Sequence, residues 1–323
     1  MKYLSEVFAK YICKRKNKNR VLLVVTLGWA IVLPAHSQQF VEHFRFGGQG
    51  QENARFNDPA AIALADDGTL FVVDSRNNRI QLFTSEGKFL RSVGGFGFDP
   101  DQFDLPVDIW VKSILNIYVS DYNNRRLQRY DRQMNYLAQL KSNPDWPEEF
   151  QFGEVLSCAL NSQNDLFILD HQEEKVIKFN RDGQPERFFG TYESGAGELE
   201  EAVQMDIFRN RWLLISDAGL KALMVYDFFG TFVKAIGSQI FKHPAGLAVQ
   251  DRSGIFVADE AAKAIFFIRP DLQTIRPVQT FLQTPLMHPR DIALTALPDS
   301  TLENNCFILD GNFVIGGKFT VNR

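Results

Sequence analysis

The stretch LFVVDSRNNRIQLF, residues 70–83, predicts a β-hairpin. Two apolar, strand-forming runs flank a short polar turn that begins at Asp74, and Asp, Ser and Asn favour turns. The same sequence of strand, aspartate and turn returns five times, at Asp121, Asp170, Asp217, Asp259 and Asp310. Successive aspartates are 47, 49, 47, 42 and 51 residues apart. Intervals of this length indicate a repeat architecture with one supersecondary unit per repeat.

The positions around each aspartate support this repeat. The residue nine positions later is always large and apolar or aromatic: Phe83, Tyr130, Phe179, Tyr226, Ile268 and Phe319. The residue twelve positions earlier is apolar in the first five repeats: Ile62, Ile109, Cys158, Met205 and Leu247. In the sixth repeat, which carries an insertion at residues 298–305, Ile292 and Leu294 take the equivalent places. These uniform columns predict a core to which every repeat contributes.

Each repeat reads as four strands, a to d, which in the first repeat are residues 60–65, 69–74, 79–84 and 88–93. Four antiparallel strands in 40 to 50 residues describe a propeller blade. The sixth repeat ends after its third strand, whereas residues 40–48 resemble a fourth strand without a repeat of their own. We therefore predict an all-β, six-bladed β-propeller over residues 38–323, in which the N-terminal strand completes the last blade.

Residues 1–37 are predicted to be a leader. Residues 1–20 carry seven Lys and Arg against one Glu, and residues 21–33 are uncharged and apolar. An apolar run of 13 residues is short for a transmembrane helix, which needs about 20, but it fits a secretory signal peptide. We expect export to the periplasm or the extracellular medium, without stable membrane insertion once the leader is removed. An uncleaved membrane anchor is the alternative.

The net charge of the chain limits which partners are expected. Without the leader, 28 basic residues stand against 38 acidic ones, so the remaining chain has a net charge near −10. An acidic surface repels phosphate backbones, and nucleic acid is therefore not expected as a partner. The two remaining cysteines, Cys158 and Cys306, fall in the third and sixth repeats, on opposite sides of the predicted ring. We expect them not to form a disulfide.

The run DDGTLFVVDSRNNRIQLFTSEGKFLRSVGGFG, residues 66–97, resembles an NHL repeat, with its D-G turn, F-V-x-D, N-x-R-I and G-K. The second repeat is nearly as similar, and the fourth to sixth lack the basic residue five positions after the aspartate. The resemblance covers the chain after the leader and implies a six-bladed propeller. It leaves function open, because NHL propellers include enzymes, RNA readers and protein-binding platforms.

The six repeat aspartates are interpreted as structural. An aspartate that ends a strand before a tight turn accepts hydrogen bonds from the N–H groups of that turn. Arg79, Arg126 and Lys175 are placed to pair with the aspartates of the first three repeats.

Polar residues at the start of the innermost strands are candidates for ligand or partner contact. Asp108, Gln204 and Asp291 occupy equivalent positions there, and Arg290 is adjacent to Asp291. The turns after the repeat aspartates should lie on the same face, and they carry Arg76, Tyr122 and His171. The alternative for the inner positions is a structural role, either at the strand ends or in a water-filled channel.

The leading functional hypothesis is an exported binding or scaffold module, which contacts a protein or a saccharide through its loops and channel mouth. The alternative is a lactonase- or lyase-like enzyme that holds a divalent ion in the channel through Asp108, Asp291 and Gln204; such oxygen ligands suit calcium. RNA binding is a third and weaker hypothesis.

No standard catalytic motif occurs, and we predict neither catalytic residues nor a metal site. The amidating lyases among the NHL propellers place His directly after the proline that opens the inner strand. The equivalent positions here hold Ala60, Val107, Ala245 and Arg290.

Overall fold

The computed structural model describes residues 38–113, 116–295 and 303–320. The predicted leader and part of the predicted insertion lie outside these ranges. Within them, the strands form six sheets whose innermost strands contact one another in a closed ring. The chain is thus a six-bladed β-propeller, as the repeat predicts. No helix in the described ranges is long and apolar enough to cross a membrane.

The strands follow the predicted order a to d in every blade. The first blade has β2 (Ala61–Leu64), β3 (Leu70–Asp74), β4 (Arg79–Phe83) and β5 (Phe89–Gly94). The second has β6 (Pro106–Ser113), β7 (Asn116–Asp121), β8 (Arg126–Tyr130) and β9 (Tyr136–Lys141). The third has β10 (Val155–Leu160), β11 (Leu166–Asp170), β12 (Lys175–Phe179) and β13 (Pro185–Phe189).

The remaining blades complete the ring. The fourth has β14 (Ala202–Phe208), β15 (Trp212–Asp217), β16 (Ala222–Asp227) and β17 (Phe232–Ile236). The fifth has β18 (Pro244–Gln250), β19 (Gly254–Asp259), β20 (Ala264–Ile268) and β21 (Ile275–Pro277). The sixth has β23 (Pro289–Leu294), β24 (Glu303–Asp310), β25 (Phe313–Thr320) and the N-terminal β1 (Gln39–Gly47). The described part of the chain also has three short 3-10 helices in its loops and turns, at Ser75–Asn77, Glu148–Phe150 and Tyr192–Gly197.

One face of the propeller collects most of the polar loops. The start of each inner strand pairs with the end of the next strand, as in Ala202 opposite Asp217 and Pro244 opposite Asp259. The turns after the repeat aspartates therefore lie at the same end of each blade as the loops that join one blade to the next. We call this end the loop face. Its inter-blade loops are residues 48–60, 95–105, 142–154, 190–201, 237–243 and 282–288.

The core lies between the blades. The six residues nine positions after the repeat aspartates are almost completely buried, with exposed fractions of 0 to 1%. Aromatic rings pack edge to face in several of these layers, as between Phe256 and Phe319 at 4.6 Å. Burial of large aromatic side chains is the main source of stability in such a sheet stack.

The N-terminal strand closes the ring, as predicted. β1 pairs antiparallel with β25, the last strand of the chain, from Gln39 opposite Thr320 to Gly47 opposite Phe313. The approach requires glycine in β25, because a Cβ on Gly317 would lie 2.0 Å from the carbonyl oxygen of Val41. The sequence did not reveal a further strand, β22 (Gln279–Phe281), which adds to β1 in parallel. After Pro277 the chain leaves the edge of the fifth blade and continues along the edge of the sixth.

Replacement of Phe40 by alanine should destabilise the closed ring. The Phe40 ring is buried beside Gly317, so we expect Phe40→Ala to lower the free energy of unfolding by about 3–5 kcal/mol. Val41 lies next to it on the same strand and is exposed; Val41→Ala should cost less than about 1 kcal/mol. Urea unfolding of both variants measures the difference, and equal effects would contradict closure by β1.

Candidate functional site

Each repeat aspartate binds the loop that enters its own blade. Its carboxylate accepts a backbone N–H from that inter-blade loop, 17 residues earlier in the first five blades. The donors are Asn57 for Asp74, Asp104 for Asp121, Gly153 for Asp170, Glu200 for Asp217 and Lys242 for Asp259, at 2.7 to 2.9 Å. In the sixth blade Met287 donates to Asp310 at 2.9 Å. The sequence predicted bonds to the following turn, but the contact shared by all six blades is to the preceding loop.

Side chains add to this contact in the first two blades. Arg79 Nε lies 2.7 Å from Asp74 Oδ2, and Arg126 Nε lies 2.7 Å from Asp121 Oδ2, as the sequence predicts. The pairing expected for Lys175 is wrong. Its Nζ donates to Glu173 Oε2 at 2.8 Å and to the carbonyl oxygen of Glu149 at 3.2 Å. Asp170 Oδ2 has no hydrogen-bond partner among the described residues.

The channel candidates form a network of internal hydrogen bonds. Asp108 accepts from Ser157 Oγ at 2.6 Å and from Gln204 Nε2 at 3.0 Å. Ser157 Oγ also accepts the backbone N–H of Met205 in the next blade, at 3.1 Å. Asp291 accepts the N–H of Ile62 in the first blade at 2.8 Å. These side chains therefore connect inner strands of different blades.

Burial dominates the electrostatics of the two channel carboxyls, which are 6% and 1% exposed. Burial raises the pKa of Asp108 to about 6, while hydrogen bonds from Ser157 and Gln204 oppose the rise. Burial also raises the pKa of Asp291 well above its ordinary value, and the nearby Asp108 charge adds to the increase. Burial thus makes the ionised form of each carboxyl less favourable than in water, which works against binding a cation.

The same geometry does not fit calcium. Calcium takes six to eight oxygen ligands, whereas Gln204 turns its amide nitrogen to Asp108 and its oxygen accepts the backbone N–H of Leu247. Asp291 already receives backbone N–H groups from Ile62 and Ile292. In the described part of the chain, no three His, Cys, Asp or Glu side chains form a group that could hold a metal ion.

The other candidates form two separate pairs on the loop face. Arg76 and Arg290 share the carboxylate of Asp58, with Arg76 Nε at 3.0 Å. The rings of Tyr122 and His171 lie 5.9 Å apart, and His171 Nδ1 is 3.1 Å from a neighbouring carboxylate, that of Glu174. The structure therefore divides the seven predicted residues among three places: the channel network, the Asp58 cluster and the Tyr122–His171 pair.

Sequence reasoning missed the exposed aromatic residues of the loop face, which include Tyr192 and the neighbouring pair Phe96 and Phe98. Phe96 and Phe98 are 65% and 68% exposed, and their ring centroids lie 6.2 Å apart. The corresponding loop of the preceding repeat has the same backbone bridge, Gln49 to Phe56 against Phe96 to Phe103. It carries Gln49 and Gln51 at the equivalent positions. Alignment of GGQGQENARF with GGFGFDPDQF would have shown that the loop does not need phenylalanine to fold.

Known proteins with similar sequences and folds agree with this architecture. A protein-family model described as a 6-bladed beta-propeller matches residues 49–152. The E3 ubiquitin-protein ligase NHLRC1 of Rattus norvegicus is 26% identical over 153 residues, which are 46% of this chain and 38% of the ligase. The matched segment thus covers well under half of that relative.

Two solved structures share the fold. A protein of unknown function from Bacteroides thetaiotaomicron superposes with a TM-score of 0.62 at 14% identity, covering 88% of this chain and 76% of that one. A streptogramin B lyase superposes with a TM-score of 0.56 at 12% identity, covering 83% and 96%. Identities this low establish the fold alone. The repeats and the ring of blades make the chain a six-bladed β-propeller, and its sequence is similar to that of NHL-repeat proteins.

The raised pKa of Asp108 predicts a pH-dependent cost to stability. Because the folded pKa exceeds the unfolded one, the folded state binds more protons between about pH 4 and 6, and stability falls as pH rises through that window. Relative to Asp108→Asn, the wild type should lose on the order of 3 kcal/mol between pH 4 and 7. Urea unfolding at both pH values measures this. A difference between the two proteins that stays constant with pH would contradict the burial of an ionised Asp108.

Proposed function

We propose that this propeller is a protein-binding module that contacts its partner through the loop face. The observation that carries the proposal is the exposed pair Phe96 and Phe98, on a loop whose counterpart has the same backbone with Gln49 and Gln51. Since the counterpart loop forms the same bridge with glutamines, the two phenylalanines are not needed for that loop's conformation. Aromatic side chains of this kind are enriched among residues that anchor protein interfaces.

The charge of the loop face favours a basic partner. The three inter-blade loops at residues 95–105, 142–154 and 190–201 contain 11 Asp and Glu and no Lys or Arg. The loops at residues 237–243 and 282–288, across the ring, contain no acidic residue. Acidic loops beside exposed aromatic rings complement a segment that carries both Lys or Arg and apolar side chains. This combination favours a protein over a neutral saccharide.

The channel supports the enzyme alternative less well. Its carboxyls are buried and engaged by Ser157, Gln204 and backbone N–H groups, so they offer no oxygen cluster for a divalent ion. A ubiquitin-protein ligase acts on proteins, which agrees with a protein partner, whereas the lyase similarity concerns the fold. Export through the predicted leader is part of the proposal, and N-terminal sequencing of the mature chain tests it.

Selection from a random peptide library tests the proposal directly. We expect the wild-type protein to select peptides that combine basic with aromatic or aliphatic residues. The double variant Phe96→Gln and Phe98→Gln should bind them at least about tenfold more weakly, a loss of roughly 1.4 kcal/mol. Gln49→Ala with Gln51→Ala, in the equivalent loop, serves as the matched control and should bind normally. Peptides without basic enrichment, or equal affinity for the double variant, would contradict the proposal.

A further inference from the structure

In the first two blades, an arginine joins the repeat aspartate to the loop that enters the blade. Arg126 reaches Asp121 through Nε, and its Nη atoms donate to the carbonyl oxygens of Phe98 and Gln102 at 2.8 and 2.9 Å. Arg79 does the same for Asp74, with bonds to loop carbonyls at 2.9 and 3.0 Å. A guanidinium is thus the natural partner of this site, since it binds a carboxylate and several carbonyls at once.

Other side chains complete the site in those blades. Gln81 donates to Asp74 Oδ2 at 3.0 Å, and Gln128 donates to Asp121 Oδ2 at 3.3 Å. An asparagine three positions after the aspartate, Asn77 or Asn124, adds a further bond at 2.9 or 2.8 Å. Oδ2 of each aspartate is therefore fully engaged by side chains, while Oδ1 accepts the loop N–H.

The third blade replaces all three donors. Glu173, Lys175 and Ile177 stand where the first two blades have Asn, Arg and Gln. Lys175 is buried and its charge is matched by Glu173 at 2.8 Å. Asp170 is 1% exposed, and its Oδ2 has no hydrogen-bond partner within the described ranges. An unpaired buried carboxylate oxygen costs free energy. Burial raises the pKa of Asp170, while the Gly153 N–H and the Lys175 charge oppose the rise.

A cleft of about 470 Å³ lies at the same place, between the second and third blades on the loop face. Asp170 and Asn124 both line it, and Asn124 Oδ1 is a second buried acceptor without a partner in the described part of the chain. Glu148 and Glu173 contribute further negative charge to the lining.

Two cations also line the cleft, Arg125 and Lys141. Arg125 is paired with Glu154 at 2.8 Å. The lining therefore combines three carboxylates with two cations. One of the carboxylates, Glu173, is itself paired with Lys175. The two buried side-chain atoms of the lining without a partner in the described residues, Asp170 Oδ2 and Asn124 Oδ1, are both acceptors.

We propose that this cleft binds a guanidinium or ammonium group, supplied by an arginine or lysine side chain of the protein partner. The ligand supplies to Asp170 Oδ2 the donor that Arg79 or Arg126 supplies to the aspartate in the first two blades; in the third blade, Lys175 bonds to Glu173 and Glu149 instead. It donates to Asp170 Oδ2 and Asn124 Oδ1, and Glu148 of the acidic loop at residues 142–154 also lines the cleft. The choice of a side chain as the source rests on the proposed function; the cationic chemistry of the cleft does not.

Titration calorimetry with N-acetyl-arginine amide tests the site on the full chain. We expect saturable binding with a Kd in about the millimolar range, and no binding of the uncharged analogue N-acetyl-citrulline amide. Lys175→Arg restores the arginine of the first two blades, and this arginine should donate to Asp170 Oδ2. We therefore expect it to weaken binding of the amide at least about tenfold. Lys178→Arg is the matched control, because Lys178 lies on the same strand but pairs with Asp165 and Glu186. It should bind like the wild type.

Asp170→Asn provides a second variant, because it keeps an oxygen for the Gly153 N–H while it removes the charge. It too should lose binding. Urea unfolding of each variant shows that it is folded. No saturable binding to the wild type overturns the proposal, as does undiminished binding to Lys175→Arg. Lys175→Arg could also stabilise the protein while the wild type binds no ligand. The unpaired oxygen of Asp170 would then affect stability only, and this outcome also overturns the proposal.

Competition separates the two sources of the cation. If a partner side chain is the ligand, saturating N-acetyl-arginine amide should weaken the library-selected peptides at least about tenfold. Amide binding without competition would support the cationic site and reject a partner side chain in favour of a free guanidine. The Phe96→Gln, Phe98→Gln variant should still bind the amide. If this variant loses affinity for the peptides but still binds the amide, the cleft and the Phe96–Phe98 pair are separate binding sites.

Discussion

The propeller depends on one interaction, the hydrogen bond from an inter-blade loop N–H to the aspartate that ends the second strand of each blade. It occurs in all six blades, from Asp74 to Asp310. A charged acceptor makes it stronger than a bond between neutral groups. Because it fixes the loop through its backbone, the loop's side chains are left free to vary. The loop face is therefore a constant framework that carries different chemistry at each blade.

This variability of the loop side chains allows six blades with the same backbone contact to carry a binding site at one position only. The loops around the second and third blades are acidic, and one of them exposes Phe96 and Phe98, while the backbone contact beneath them is unchanged. At Asp170 the side-chain donors are replaced and only the backbone contact remains. The channel network of Asp108, Ser157 and Gln204, by contrast, connects inner strands and serves the ring.

The fold was predictable from the sequence because each position shared by the six repeats has one structural role. The buried residue nine positions after each aspartate and the missing last strand determine the number of blades and their closure. The strand β22 was not predictable, since it depends on the path that the chain takes after Pro277. The site was predicted only in part. The sequence showed that positions 108 and 291 are polar, but not that their carboxyls are bonded within the protein. Lys175 is the basic residue expected five positions after the aspartate, but its ammonium is bonded to Glu173.

Hydrogen exchange at the six loop amides measures whether the aspartates hold the loops. The N–H groups of Asn57, Asp104, Gly153, Glu200, Lys242 and Met287 are in loops, yet each is bonded to a buried carboxylate. NMR-detected exchange should be at least about tenfold slower at these amides than in unstructured peptides of the same sequence, since a bond to a charged acceptor contributes about 1.5–3 kcal/mol. Exchange at the rate of the unstructured peptides in several blades would contradict the hydrogen bonds between the inter-blade loops and the repeat aspartates.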